Sequence, residues 1–227
     1  GPPGRYLGAA ISSDGRHAFF DRARAGSGAF GVWSIDFERG TETPITPGPD
    51  TEFGAVPLPG GKSIVYSAVH GRSPELVRRD LETGREEGLL PGGRFQIAQE
   101  VTPDGKALVY TERGEGGVFD VWSLPLPAGK PVPVLQAPFN KAEVRFSPDG
   151  RFIAMISTES GRTEVYVTPY PGPGARVRVS TGGAEHVRWS RDGRELFYLT
   201  PDRGLMSVPV RTAPSLQLGA PTLLFTV

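Results

Sequence analysis

The chain has 227 residues, and its 25 basic and 25 acidic residues leave it without net charge at neutral pH. This balance argues against nucleic acid or an anionic membrane surface as the main partner, and the absence of cysteine excludes disulfides and thiolate metal sites. The hydrophobic content of 37% is enough for a sizeable core, no apolar run is long enough to span a bilayer, and 31 Gly with 23 Pro residues indicate an all-β domain with many short turns.

A short segment recurs along the whole chain at an almost constant interval. Its clearest copy runs from Phe146 to Met155 and has the pattern of a strand, a tight turn and a second strand. When the copies are aligned on the turn, positions 14, 60, 104, 149 and 192 are equivalent, and their spacings are 46, 44, 45 and 43 residues. A four-stranded propeller blade has a period of about 40–45 residues, so the repeat predicts a β-propeller.

The turns of these copies contain Asp-Gly or Gly-Gly pairs. Gly accepts a positive φ, and Asp can bond the backbone just beyond it, so these residues are predicted to form turns rather than to take part in catalysis. The predicted turn residues are Asp14, Gly15, Gly60, Gly61, Asp104, Gly105, Asp149, Gly150, Asp192 and Gly193. In the second copy, Pro57 and Gly60 replace the usual apolar residue and Asp, and we expect a weaker turn there.

Each repeat predicts four strands in chain order. The first strand ends at the turn and is the innermost, the second follows the turn, and the third begins near an apolar pair such as Val165-Tyr166. The fourth is the weakest and tolerates Pro because the outer strand has a free edge; we assign it to 43–46, 85–90, 132–135, 176–180 and 221–225. No strand is left over.

The predicted fold is therefore an all-β propeller with five four-stranded blades in a single domain. The blades cover approximately residues 5–47, 48–92, 93–137, 138–181 and 182–227. Such a chain either closes as a ring of five blades or forms most of a ring of six. An unclosed ring would expose apolar blade faces, through which two copies could associate.

The last two repeats carry the most specific signature. It comprises Phe146 to Arg151, Glu159 to Val167, Pro169 to Gly174, Ser180 to Gly183, and Trp189 to Tyr198. This pattern resembles the TolB-like, WD-related propeller at the C-terminus of many bacterial transmembrane serine/threonine protein kinases. The resemblance implies a ring of six blades completed by flanking sequence, an extracytoplasmic location, and a kinase domain and membrane helix upstream. This chain contains none of the kinase signatures, and any export signal is expected upstream of it.

The search for catalytic and metal-binding residues is negative. His17, His70 and His186 fall in different repeats without metal-binding spacing, and neither a Gly-x-Ser-x-Gly elbow nor a phosphate-binding loop occurs. We predict no metal, no cofactor and no catalysis by this chain. Four acidic residues lie near the starts of first strands, at different distances from the turn: Glu52, Glu100, Glu143 and Glu185. A five-bladed glycosidase with axial carboxylates therefore stays open as an alternative.

Propellers usually bind ligands through the loops that enter the first strands and the loops that join second to third strands. The charged and polar residues that we predict there as candidates for binding are Asp50, Glu52, Arg72, Arg94, Arg113, Asn140, Lys141, Glu143, Arg162, Glu185 and His186. They would form a polar rim that contacts a protein, peptide or glycan.

The resulting hypothesis is a non-catalytic binding domain that acts as the extracytoplasmic sensor of a bacterial receptor-type kinase. Two further readings stay open beside it: a TolB-like scaffold in the cell envelope, and the gating propeller of a serine peptidase. Flanking sequence separates the three, since each requires a different neighbouring domain or signal.

Overall fold

The computed structural model describes residues 5–69, 74–90, 94–127 and 129–227. Within these ranges all regular secondary structure is β-strand, and there is no helix that could cross a membrane. The strands form five antiparallel sheets, each following the order of the chain from its first strand. The chain forms two compact units, Gly1–Val101 and Thr102–Val227, which are described separately.

The first unit contains two sheets and the first strand of a third. The first sheet comprises β1 (Tyr6–Ile11), β2 (His17–Ala23), β3 (Phe30–Asp36) and β4 (Thr41–Pro44). The second comprises β5 (Thr51–Pro57), β6 (Ser63–Val69), β7 (Pro74–Asp80) and β8 (Glu86–Gly88). The unit ends with β9 (Gln96–Val101), the first strand of the third sheet.

The second unit contains the rest of the third sheet and two further sheets. The third sheet continues with β10 (Ala107–Arg113), β11 (Phe119–Pro125) and β12 (Val132–Leu135). The fourth comprises β13 (Lys141–Phe146), β14 (Phe152–Ser157), β15 (Glu164–Pro169) and β16 (Val177–Arg178). The fifth comprises β17 (His186–Trp189), β18 (Glu195–Leu199), β19 (Gly204–Arg211), β20 (Gln217–Leu218) and β21 (Thr222–Thr226).

The fifth sheet has its outer strand close to the predicted 221–225, with one short piece before it on the same edge. Its outer strand is divided into β20, which pairs with Val210 and Arg211, and β21, which pairs with the segment from Gly204 to Ser207. Both pieces lie on the same edge of β19. Pro221 has no N–H to continue the ladder, and the interruption covers 219–221, where Gly219 donates to the carbonyl of Pro209 at 2.7 Å.

The turns after the first strands have the predicted chemistry. In the fourth sheet, the Ser147 hydroxyl donates to Asp149 at 2.6 Å and accepts from the N–H of Phe152 at 3.0 Å. The corresponding pairs elsewhere are Ser12 with Asp14, Thr102 with Asp104, and Ser190 with Asp192. The predicted turn glycines all have φ between 68° and 86°. In the second sheet, Gly60 and Gly61 replace the Asp-Gly pair, and the turn is closed by backbone hydrogen bonds between Leu58 and Ser63 and from Gly61 to Leu58.

The core lies between the faces of successive sheets. In the first unit, Phe19 and Val32 of the first sheet pack with Ile64 and Tyr66 of the second. In the second unit, one cluster joins the third and fourth sheets, and another joins the fourth and fifth. Strands β14 and β15 are buried almost throughout, because the fourth sheet contributes to both clusters. Sheets stacked face to face in chain order are the arrangement of propeller blades.

Candidate functional site

The first strand of the fourth sheet, β13, contains a bulge at Glu143. The register with β14 shifts between Ala142 and Arg145, and Glu143 has a φ of 53°. In β5 the equivalent position is Gly54, which also lies at a register shift and has a φ of 68°. Gly adopts this conformation freely, whereas a residue with a side chain is disfavoured there by about 1–2 kcal/mol. Contacts of its side chain must therefore hold Glu143 in place.

Three cationic side chains surround the Glu143 carboxylate. Arg188 Nη1 lies 2.6 Å from Oε2, Arg145 Nη2 lies 3.4 Å from the same oxygen, and His186 Nδ1 lies 3.6 Å from Oε1. Glu143 and Arg145 belong to β13, whereas His186 and Arg188 occupy the equivalent positions of β17 in the next repeat. We call these four residues the Glu143 cluster. The cluster consists of residues at the same two positions in the first strands of two neighbouring blades.

The backbone around the cluster orients both arginines. Arg145 donates to the carbonyl of Val144 at 2.8 Å, and Arg188 donates to the carbonyl of Val187 at 2.7 Å. The indole N–H of Trp189 crosses between the strands and donates to the carbonyl of Arg145 at 3.1 Å. The guanidinium groups are therefore positioned before any ligand arrives, which reduces the entropy lost on binding.

The electrostatic environment keeps Glu143 ionised. Burial alone would raise the pKa of its carboxyl, but the contact with His186 and the charges of Arg145 and Arg188 outweigh burial and lower the pKa to about 2. The contact with Glu143 raises the pKa of His186 above its ordinary value of 6.5, although burial opposes it. A carboxyl group with so low a pKa cannot supply the proton that a glycosidase acid must donate near neutral pH.

The cluster is graded in exposure from one end to the other. The side chains of Arg145 and Glu143 are 17% and 27% exposed, whereas those of Arg188 and His186 are 45% and 51% exposed. Glu185, directly before His186, is also exposed. The cluster therefore has an anchored inner part, Glu143 and Arg145, and an outer part, His186 and Arg188, that is accessible to solvent.

Two candidates of the first unit, Glu52 and Asp50, contact the same arginine. Glu52 is buried at the start of β5, where Arg24 contacts its Oε2 at 2.6 Å and also donates to the Thr46 carbonyl. Asp50 is exposed, and its carbonyl accepts from Arg24 at 3.2 Å. Arg94 is exposed, and Arg72 lies outside the described residues.

Of the remaining candidates in the second unit, Lys141 has the most decisive contacts. Its side chain is fully buried, and the ammonium group donates to Asp120 at 2.7 Å and to the carbonyl of Ala137 at 2.6 Å. Lys141 therefore joins the third sheet to the fourth from inside the fold. Asn140, its neighbour, accepts from the N–H of Phe119 at 3.1 Å and so ties the same two sheets together.

Arg113 is the last residue of β10, and Arg162 lies on the loop between β14 and β15. Arg113 is exposed and donates to the carbonyl of Gly117 in the loop that follows at 3.2 Å. Arg162 contacts the buried Glu164 at 2.7 Å and donates to the carbonyl of Thr181. Both side chains brace local backbone.

The structure thus brings Glu143, His186 and Glu185 together and adds two residues that the sequence analysis did not single out. Arg145 and Arg188 both stand four residues before the turn Asp, between the alternating apolar positions of the first strand. An arginine at this position in two successive repeats was the signal that could have identified them. The two arginines contact Glu143 because the bulge in β13 brings the Glu143 carboxylate within their reach.

The sequence contains three histidines, His17, His70 and His186, for which we predicted no metal site. His17 is half-exposed, with Nε2 lying 3.9 Å from Asp36, and His70 lies outside the described residues. His186 belongs to the Glu143 cluster. In the described part of the chain, no three His, Asp or Glu side chains form a group that could hold a metal ion.

No protein-family model matches the sequence, and no curated protein matches it. Solved structures do match. TolB from Acinetobacter baumannii is 20% identical, with a TM-score of 0.75 over 97% of this chain and 57% of that one. A putative TolB from Agrobacterium tumefaciens is 18% identical, with a TM-score of 0.76 over 99% of this chain and 82% of that one.

Enzymes are also among the matching structures. A puromycin-hydrolyzing peptidase of Mycobacterium tuberculosis is 18% identical, with a TM-score of 0.66 over 98% of this chain and 38% of that one. The chain spans little more than half of the Acinetobacter protein and a smaller part of the peptidase. Together with the five sheets, these likenesses confirm the predicted all-β propeller fold with five four-stranded blades and its TolB-like character.

Proposed function

We propose that this chain is a non-catalytic binding domain for a protein or peptide, and that it serves as the extracytoplasmic sensor of a bacterial receptor-type serine/threonine kinase. The observation that carries the proposal is Glu143. Its left-handed backbone is held by three cationic side chains from two blades, two of which are about half exposed. Backbone strain held in place by a preorganised polar set is characteristic of ligand sites.

Two features support the cellular role. The fold is that of TolB-like propellers, and the repeats of the fourth and fifth blades resemble those of propellers attached to bacterial receptor kinases. In this proposal, the flanking sequence of the parent protein supplies a sixth blade, a membrane helix and the kinase domain. The chain itself contributes recognition and no chemistry.

The binding role can be tested by site-specific crosslinking in the source cell. A photoreactive p-benzoylphenylalanine replaces the exposed Glu185 beside the cluster, and the matched control replaces the exposed Arg178 on the outer strand β16 of the preceding blade. We expect one discrete protein adduct from position 185 and none from position 178. The absence of any adduct at position 185, or the same adducts from both positions, would contradict a protein-binding role for this face.

The sensor role requires the full-length parent protein. In membrane vesicles that contain the parent protein, deletion of this domain should change the rate of kinase autophosphorylation. A sensor shifts the equilibrium between the conformational states of the domain that it controls. Equal rates would overturn the sensor role and leave the binding role standing. A parent protein without a kinase domain would overturn it at once.

A gating propeller is the second candidate, favoured by the likeness to the peptidase over nearly the whole of this chain. It predicts that the parent protein has a hydrolase domain with a serine nucleophile. An envelope scaffold, which the likeness to TolB favours, predicts an export signal with neither a kinase nor a hydrolase domain. The sequence of the parent gene separates all three.

A further inference from the structure

We infer that the Glu143 cluster recognises a carboxylate group of the peptide ligand, with Arg188 and His186 as the donors and Glu143 holding both in position. This inference rests on the proposed binding function and deepens it by naming the chemical group that is recognised. Three properties of the cluster support it: its unused donors, their geometry and its net charge.

Arg188 and His186 have hydrogen-bond donors that Glu143 does not use. Arg188 makes both of its hydrogen bonds through Nη1, one to Glu143 Oε2 and one to the carbonyl of Val187. Among the described residues, none accepts from its Nε or Nη2. His186 faces Glu143 through Nδ1, and its Nε2 likewise has no acceptor in the described part of the chain. Both side chains are about half exposed, so these donors are accessible from solvent.

The unused donors of Arg188 have a geometry that suits a carboxylate. The Nε and Nη2 atoms of a guanidinium lie on one edge and donate two parallel hydrogen bonds, a fork that matches the two oxygens of a carboxylate. The remaining nitrogen of Arg188, Nη1, is already fixed by two acceptors at 2.6 and 2.7 Å. The orientation of the free edge is therefore set before the ligand binds. An imidazolium beside it provides a further donor to the same anion.

The net charge of the cluster and the neighbouring Glu185 distinguishes a carboxylate ligand from a phosphate ligand. Arg145 and Arg188 carry two positive charges, and Glu143 and the neighbouring Glu185 carry two negative charges. Protonated His186 then leaves an excess of one positive charge. A monoanion neutralises this excess, whereas a phosphate dianion would overcompensate it and would be repelled by both glutamates. The balance therefore favours a carboxylate.

The test uses the whole domain, labelled with ¹⁵N, and follows the Arg188 Nε–Hε and His186 signals by NMR. The probes are N-acetyl-Gly-Gly-Ala as the free acid, the same peptide as its C-terminal amide, and N-acetyl-Gly-Glu-Gly amide. We expect the free acid to shift both signals in a saturable manner near pH 6 and the amidated Ala peptide to have no effect. Shifts with the Glu peptide would identify a side-chain carboxylate as an equally good source.

Arg188→Gln should weaken binding of the free acid at least about tenfold, because it removes the charged fork. Arg188→Lys should recover only part of the loss, since it restores the charge without the fork. Arg178→Gln, at an exposed arginine of β16, is the matched control and should leave binding unchanged. The backbone spectrum of each variant shows whether the fold is intact.

Two outcomes would overturn the inference: equal shifts with the amidated Ala peptide, or equal shifts with sodium chloride at matched ionic strength. Failure here is distinguishable from failure of the proposed function. A crosslinked partner at position 185 that persists in Arg188→Gln would retain the binding role and remove carboxylate recognition. Binding of the free acid without any protein adduct would retain carboxylate recognition and remove the protein-binding role.

Discussion

Glu143 combines an unfavourable backbone conformation with favourable side-chain contacts, and the two contributions can be separated by substitution. Glu143→Ala removes the ion pairs but keeps a Cβ at a φ of 53°. Glu143→Gly removes the ion pairs and relieves the backbone as well. We expect the Gly variant to be more stable than the Ala variant by about 1–2 kcal/mol in urea unfolding. An Ala variant as stable as the Gly variant would show that β13 relaxes and that no strain is present.

His186 should make the stability of the domain depend on pH in a defined window. Its folded-state pKa is raised above 6.5, so its contribution is complete below pH 6.5 and is lost as the pH rises through the raised value. The charged groups facing it are Glu143 of β13 and Glu185 and Arg188 of β17. Glu143 contributes in full above pH 4.5, and its share is lost as the pH falls towards about 2.

The measurement is the difference in unfolding free energy between the wild type and His186→Gln. It should be greatest between about pH 5 and 6 and should shrink at pH 8. Solvent screens a half-exposed pair, so we expect no more than about 1 kcal/mol. A difference that grows with pH would contradict the assigned ion pair.

At the scale of single elements, the hydroxyl group at the start of each turn organises the hairpin. Ser147→Ala leaves the buried N–H of Phe152 without its acceptor and removes one of the donors to Asp149. We expect a loss of about 1–3 kcal/mol in unfolding free energy. Ser190→Ala is the matched control, since the equivalent hydrogen bonds lie near the surface, where water can replace them. Equal losses at the two sites would mean that burial does not determine the cost.

The contact between the third and fourth sheets depends on a buried charge. Lys141→Ala removes the ammonium group that donates to both Asp120 and the Ala137 carbonyl, and it leaves the Asp120 charge without its cation in a site closed to solvent at the lysine end. We expect destabilisation by about 3–5 kcal/mol. The double variant Lys141→Met with Asp120→Leu removes both charges and should be less destabilised than Lys141→Ala. If the double variant is less stable than Lys141→Ala, the ion pair stabilises the fold by more than the free energy that the unpaired Asp120 charge costs.

At the scale of the whole molecule, local stability should follow burial from blade to blade. Strands β14 and β15 are buried almost throughout, whereas β1 and β21 are largely exposed, with Ile11 63% exposed. In a repeat architecture, each unit is stabilised mainly by its neighbours. We expect amide hydrogen exchange, followed by mass spectrometry, to be slowest in β14 and β15 and fastest in β1 and β21. Equal protection in β1 and β14 would contradict this gradient.

The amino-acid sequence by itself determined the architecture. Four of the five blades are encoded by an Asp-Gly turn with a Ser or Thr two residues earlier and apolar strands on either side, and the second blade has Gly-Gly in place of Asp-Gly. A signal that recurs every 43 to 46 residues can be recognised without knowledge of the tertiary fold. Where local chemistry was weak, as in the outer strands, the prediction was less accurate. The division of the last outer strand at 219–221 was missed for this reason.

Only the tertiary structure decided which charged residues act together. Arg188 and Glu143 are 45 residues apart, and they meet because a bulge moves Glu143 while blade packing aligns β13 with β17. The same packing buries Lys141, which in sequence is as typical of a loop rim as Glu143. An ion pair between repeats depends on distances of a few ångströms across a blade interface, and residue spacing along the chain does not specify those distances.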